Sequence, residues 1–193
     1  MKKVAAVDND FVMHIAETEI KDRNLDDVVS TMFSDLKVEP IMHELVYKYE
    51  LEGGADSKGK TIALNFFSEG IISQKLMADF LDSESKKNYY KTVLKKIYYD
   101  FKGPLPSSIS DILIDWASSA SLGETHTMAM CAMINCGIFL SDDKGSSKLA
   151  HILKRQYAFD VKTYNREEAI KYMTELGTSI KKHDRNALKH VAK

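Results

Sequence analysis

Cysteine is nearly absent from this chain, with two thiols in 193 residues. That is too few for the disulfide frameworks that hold small secreted folds together, so stability must come from packing. Cys131 and Cys136 stand five apart in one helix-like run, a spacing that sends their side chains to different faces and argues against a bridge. No long apolar run occurs either. The longest, 4–7 and 128–134, fall far short of the roughly 20 residues that cross a bilayer. The N-terminus turns acidic at Asp8 before an apolar signal core can form, which makes the cytosol the expected compartment. Charge of one sign is also lacking: the formal net charge is -1, so no global positive field draws the surface onto a polyanion. A nucleic-acid partner would have to meet a local patch. Internal repeats and low-complexity tracts are missing too.

What is present is 44% hydrophobic residues, enough for one full core without disorder. Lys3 to Asp8 is an apolar run closing on an acid, the pattern of a buried central strand whose C-terminal end opens at a functional edge. Helical spacing follows through Phe11 and Ile15, then through Leu25, Val28, Val29, Met32, Phe33 and Leu36. Pro40 suits a first helical turn, which predicts a third helix carrying Ile41, Glu44, Leu45 and Lys48. The Gly-rich stretch 52–60 reads as a loop, 61–67 fits a strand or a helix start, and 72–81 and 86–99 read as helices. In the last third, an apolar helix over 122–135 stops at Gly137, and a buried strand 138–140 ends in Ser141-Asp142-Asp143. A helix over 146–156, a strand near 159–163 and a helix capped by Asn165 with Glu168 complete the pattern. Alternating strands and helices predict a three-layer α/β/α domain with a central, mainly parallel sheet. Its expected extent is 1–176, with 52–118 a helical insertion and 177–193 a basic C-terminal tail or helix containing Lys181, Lys182, Arg185, Lys189 and His190.

Two apolar strands end in acids, at Asp8 and at Asp142-Asp143, and open parallel sheets gather ligands beyond the carboxyl ends of their strands. Glu44 and Glu124 stand on or at the start of helices next to strands and can point over the same edge. Carboxylates crowded this way repel unless a cation intervenes, and hard oxygen donors suit Mg²⁺ or Mn²⁺. The residues that carry this pattern resemble the PIN-domain nucleases. They are Ala5-Ala-Val-Asp-Asn-Asp10, His43-Glu44-Leu45, Leu122-Gly-Glu-Thr-His126 running into Met128-Ala-Met-Cys-Ala132, and Phe139-Leu-Ser-Asp-Asp143 with Lys148-Leu-Ala150. The resemblance covers the first fifty residues and 120–163; residues 52–115 have no counterpart. It implies a PIN-like fold in which Asp8, Glu44, Glu124 and Asp142 centre on metal, with Asp143 or Asp10 assisting. It also implies Mg²⁺- or Mn²⁺-dependent endoribonuclease activity through metal-activated water. Many members carry an acid where this chain has His126, so the third acid is Glu124, or is absent with His126 taking part. The partners implied are RNA, expected to be single-stranded, and a protein inhibitor of antitoxin type; Asp10, His126 and Lys144, together with Lys91 and Lys95 from the lysine-rich stretch 86–102, are the candidates to meet substrate, and a second copy of the chain is a further candidate partner. A module of the same fold that binds RNA or protein without cutting is the alternative.

Other signals compete. Each acid alone fits a helix cap or a turn, and Glu124 also suits a helix N-terminus through the macrodipole. Gly54-Ala-Asp-Ser-Lys-Gly59-Lys60-Thr61 matches the phosphate-cradling pattern of nucleotide-binding proteins, which requires a buried strand before it and a helix after it. Asp8-Asn-Asp10 imitates the paired acids of haloacid-dehalogenase-like phosphotransferases, without an identifiable partner lysine or hydroxyl. Between 86 and 102, lysines alternate with Tyr89, Tyr90, Tyr98 and Tyr99, which suits single-stranded nucleic acid. Yet Tyr90, Leu94, Ile97 and Phe101 keep helical spacing, so much of this aromatic content is expected in the core.

Overall fold

The N-terminal apolar run forms β1 (Lys3–Val7), whose last three residues are buried on both faces. The computed structural model describes residues 2–21, 23–116 and 121–189. His190 at the basic C-terminus and the close of the 52–118 stretch lie outside the described residues. After β1 come α1 (Asn9–Ala16), α2 (Leu25–Asp35), β2 (Val38–His43), α3 (Glu44–Val46) and a π-helical turn (Tyr47–Glu52). Next are α4 (Lys58–Ser68), β3 (Ser73–Lys75), a 3₁₀ turn (Met77–Asp79) and α5 (Glu84–Lys102). The last third holds α6 (Leu122–Ile134), β4 (Ile138–Leu140), α7 (Gly145–Tyr157), β5 (Lys162–Tyr164), α8 (Arg166–Leu176) and α9 (Lys182–Lys189). Local chemistry sets many of these starts. Asn24, Ser57 and Ser83 cap α2, α4 and α5 with side-chain oxygens, and Asn165 with Glu168 forms a full capping box on α8.

All five strands are parallel, in the order β3-β2-β1-β4-β5. Successive residues of β1 serve opposite layers, as a two-residue period demands. Ala5 and Val7 pack with α1, α2, α4, α8 and α9, whereas Ala6 packs with α5, α6 and α7 beside Ile41 and Phe139. The result is a three-layer α/β/α fold. The stretch 52–118 contributes α4, α5 and the edge strand β3, and α9 buries Leu188 and Asp184. Among the described residues no helix is long and apolar enough to cross a membrane.

Two expectations fail here. Pro40 lies inside β2, opposite Ala5, instead of opening a helix. The strand tolerates it because β3 pairs only with Ile41, Met42 and His43, leaving that edge of β2 open at Pro40. Likewise 72–81 is not a helix but the short β3 and a 3₁₀ turn, since backbone pairing to β2 outweighs its helical spacing. Smaller shifts occur elsewhere. Asn135, in the left-handed conformation, ends α6 ahead of Gly137. That turn brings the Cys136 N–H to the Cys131 carbonyl at 2.9 Å, the Cys136 thiol donates to the Val4 and Ile138 carbonyls, and both thiols stay free and buried.

Candidate functional site

Strand order reverses between β1 and β4, and the crevice beyond their carboxyl ends is the place where parallel sheets bind ligands. Asp8 occupies the N-cap position of α1, but its side chain makes no capping bond, so local structure does not account for it. Its backbone N–H is tied to the Leu140 carbonyl at 2.9 Å, and its carboxylate accepts a hydrogen bond from Ser141 Oγ at 3.1 Å. The Ser141 hydroxyl also accepts from the Asp143 N–H at 3.1 Å, which fixes the β4 loop beside the end of β1.

Around Asp8 the fold gathers acids from separate elements. Glu124 comes from the first turn of α6, Glu50 from the π-helical turn, Asp143 from the loop after β4 and Asp10 from the first turn of α1. Burial, then the charges of Glu50 and Asp10, pushes Asp8 up to about 8. Burial, then Glu124 and Asp10, pushes Glu50 up to about 7. Glu124 rises to about 8 through burial, the charge of Asp8 and a hydrogen bond with Asp143. Burial and like charge both favour the neutral acid, so without a cation the cluster is biased toward holding protons. Gly123 is part of this arrangement: a Cβ there would collide with the Glu50 carboxylate.

Asp8 and Glu124 therefore come together, with Asp10 and Asp143, and two expected members do not. Glu44 turns away to accept a hydrogen bond from the Met77 N–H at 2.7 Å, capping the 3₁₀ turn. Glu50 stands in its place. Asp142 is consumed by an ion pair: Arg166 N donates to Oδ1 at 2.9 Å, while Arg166 Nε and His14 Nδ1 donate to Oδ2. Asp143, one residue on, points to the cluster instead. The signal for Glu50 was present only indirectly, because the helix that carries it starts after a strand at His43 and is widened by a π turn, a feature frequent at functional sites.

His126 belongs to the core, two residues beyond Glu124 and fully buried. Leu45 N–H donates to His43 Nδ1 at 3.1 Å, so neutral His43 carries its proton on Nε2 and donates to Tyr90 Oη at 3.0 Å. Tyr90 in turn donates to His126 Nδ1 at 2.8 Å. Burial holds His43 down to about 3, and burial plus His43 holds His126 well below the usual imidazole range. Both rings stay neutral. Of the basic residues expected to meet substrate, Lys91 is paired with Asp111 at 3.0 Å, whereas Lys95 and Lys144 are exposed.

A phosphate cradle at 54–61 lacks its preceding strand, since the π-helical turn stands there. Lys60 Nζ donates to the Gly54 carbonyl at 2.8 Å and to Asp56 at 2.9 Å, and Ser57 is spent on capping α4. Nothing is left facing a phosphate in the manner of that motif.

Could the acidic crevice hold a metal? The donors are all oxygens, which matches Mg²⁺ or Mn²⁺ and not the nitrogen and sulfur sets of zinc. The amide oxygen of Asn9, adjacent to Asp8, is buried with no hydrogen-bond partner. As the side chains stand, no three His, Cys, Asp or Glu residues among those described form a ready ligand set. The two facts agree, because like charges couple over several ångströms whereas ligands must meet at one point. The chemistry of the donors fits such an ion. Comparison with protein-family models, with curated proteins and with solved structures gives no match, so the functional reading stands on this geometry.

Proposed function

We propose that this chain is a PIN-like, Mg²⁺- or Mn²⁺-dependent endoribonuclease that hydrolyses phosphodiester bonds in the crevice beyond β1 and β4. The observation that carries the reading is the convergence of Asp8, Glu50, Glu124 and Asp143 from four separate elements on the crevice beyond β1 and β4, where burial and like charge push the first three upward. Natural sequences tolerate such repulsion chiefly where a function uses it. Asp8, Glu50, Glu124 and Asp143 would hold the ion, with Asp10 at the margin. When bound, the ion supplies an acidified water as nucleophile and offsets charge on the phosphate oxygens. The chain's own residues do the rest. Ser141 fixes the rotamer of Asp8, Gly123 leaves room for Glu50, and the acids raised by burial would give up their protons on holding a cation. A cytoplasmic location and a protein inhibitor of antitoxin type belong to the same proposal.

A purified wild-type chain should cut 5′-labelled single-stranded RNA in Mn²⁺ and stop in EDTA. The Asp8→Asn/Glu124→Gln variant should lose activity by about 100-fold or more while keeping its circular dichroism spectrum. Equal cleavage by the folded variant, or cleavage in EDTA, would overturn the reading. Among the described residues no ligand triad is preformed, which favours one rival, a silent PIN-like module. It would bind RNA or a protein partner, show no Mn²⁺ uptake by calorimetry and cut nothing.

A further inference from the structure

Lysines crowd α5, but most are already neutralised. Lys86, Lys87, Lys91 and Lys96 pair with Asp82, Glu84, Asp111 and Asp100. Lys102, at the end of α5, and Lys148, in the first turn of α7, are different. Both are exposed, and neither is engaged by a carboxylate among the described residues. Instead their ammonium groups converge on one aromatic ring, with Nζ at 4.8 Å and 5.1 Å from the centroid of Phe101. The ring itself is half-buried at the edge of the acidic crevice. A Cβ placed on Gly145 would lie 2.8 Å from Phe101 Cζ and 2.9 Å from Asp143 Oδ1, so ring edge and acid flank the same bare backbone.

We propose that Lys102, Lys148 and Phe101 form a subsite for single-stranded nucleic acid, taking the phosphate and base next to the phosphodiester held at Asp143. Two uncommitted cations beside a cluster of acids would collapse onto those acids if charge alone ruled. Here they rest on the ring, where a solvent-exposed cation–π contact is worth only about 0.5–1 kcal/mol, so a phosphate can claim them cheaply. The vacated face of Phe101 then offers a base a stacking surface, the combination that single-strand binders use. The inference rests on the nuclease reading for the position of the neighbouring phosphodiester.

The test separates the two. Anisotropy of a labelled single-stranded RNA is titrated in Ca²⁺ across a salt series, alongside Mn²⁺-dependent cleavage, for the wild type, Lys102→Gln/Lys148→Gln, Phe101→Leu and a control. The control, Lys181→Gln/Lys182→Gln, removes the same charge at and beside α9 in the opposite layer. Losing the contact to that phosphate should raise Kd at least about fivefold and flatten the salt slope by about 0.7, with cleavage at saturating RNA retained. Phe101→Leu should weaken binding with little change of slope. If the double variant matches the control while the wild type still cuts RNA, the subsite is wrong and the nuclease reading stands. Lysine-dependent binding without any cleavage would keep the subsite and sink the nuclease reading. A wild type that neither binds nor cuts removes both.

Discussion

The carboxyls of Asp8, Glu50 and Glu124 cost the fold stability whenever they are charged and no cation is present. Their folded values, about 8, 7 and 8, lie above the ordinary 3.8 and 4.5, so the native state binds protons that the unfolded chain has released. Such groups favour folding below their unfolded values, and the cost grows as pH rises through the folded ones. His43, held at about 3 instead of 6.5, acts in the other direction, but its contribution is complete above pH 6.5. The Cys136 thiol, lowered to about 7, also opposes the carboxyls within this window, but three acids outweigh one thiol and set the sign of the slope between pH 6.5 and 8. Melting of the chain in EDTA should fall by several degrees across that window. Mn²⁺ should restore more stability at pH 8 than at 6.5, since it competes with protons. Differential scanning fluorimetry reads both; a melting temperature independent of pH and metal would contradict the arrangement of charges described.

At the level of elements, the π-helical turn and the start of α6 decide the site together. The wider turn carries Glu50 toward the crevice, and Gly123 leaves the space its carboxylate fills. Elsewhere in a helix, Gly to Ala is mildly stabilising, by about 1 kcal/mol. Gly123→Ala adds a methyl into the Glu50 carboxylate and should displace it. The expected outcome is a fall of about 10–100-fold in Mn²⁺-dependent cleavage with little loss of thermal stability, measured by initial rates and melting on one preparation. Full activity in this variant would mean that Glu50 takes no part. Much of the element plan was readable beforehand: β1, β4, α2, α7 and the Asn165–Glu168 box follow from periodicity and capping. Pro40 misled because a proline at a helix start and a proline beside an open strand edge look alike in one dimension.

Across the whole molecule, Asp142 holds three pieces together. It joins the loop after β4 to α1 through His14 and to the start of α8 through Arg166, whose side chain is only 10% exposed. Removing the charge leaves a nearly buried guanidinium without its anion. Asp142→Asn should cost about 2–4 kcal/mol in urea unfolding and leave Mn²⁺ affinity unchanged. Asp143→Asn should do the opposite, weakening Mn²⁺ binding with a small effect on stability. Isothermal titration of each variant distinguishes them, and a loss of metal affinity in Asp142→Asn would return that residue to the site.

Sequence alone determined the layered α/β plan and put Asp8 at a strand end and Glu124 at a helix start, because periodicity, caps and strand ends are local properties. Which neighbouring acid completes the cluster was decided in three dimensions. Asp142 and Asp143 are indistinguishable until Arg166, 24 residues away, claims one of them. Glu44 and Glu50 are equally helical until the Met77 amide captures the first and the π turn swings the second inward. Charges choose their partners through space, and the chain order does not record those distances.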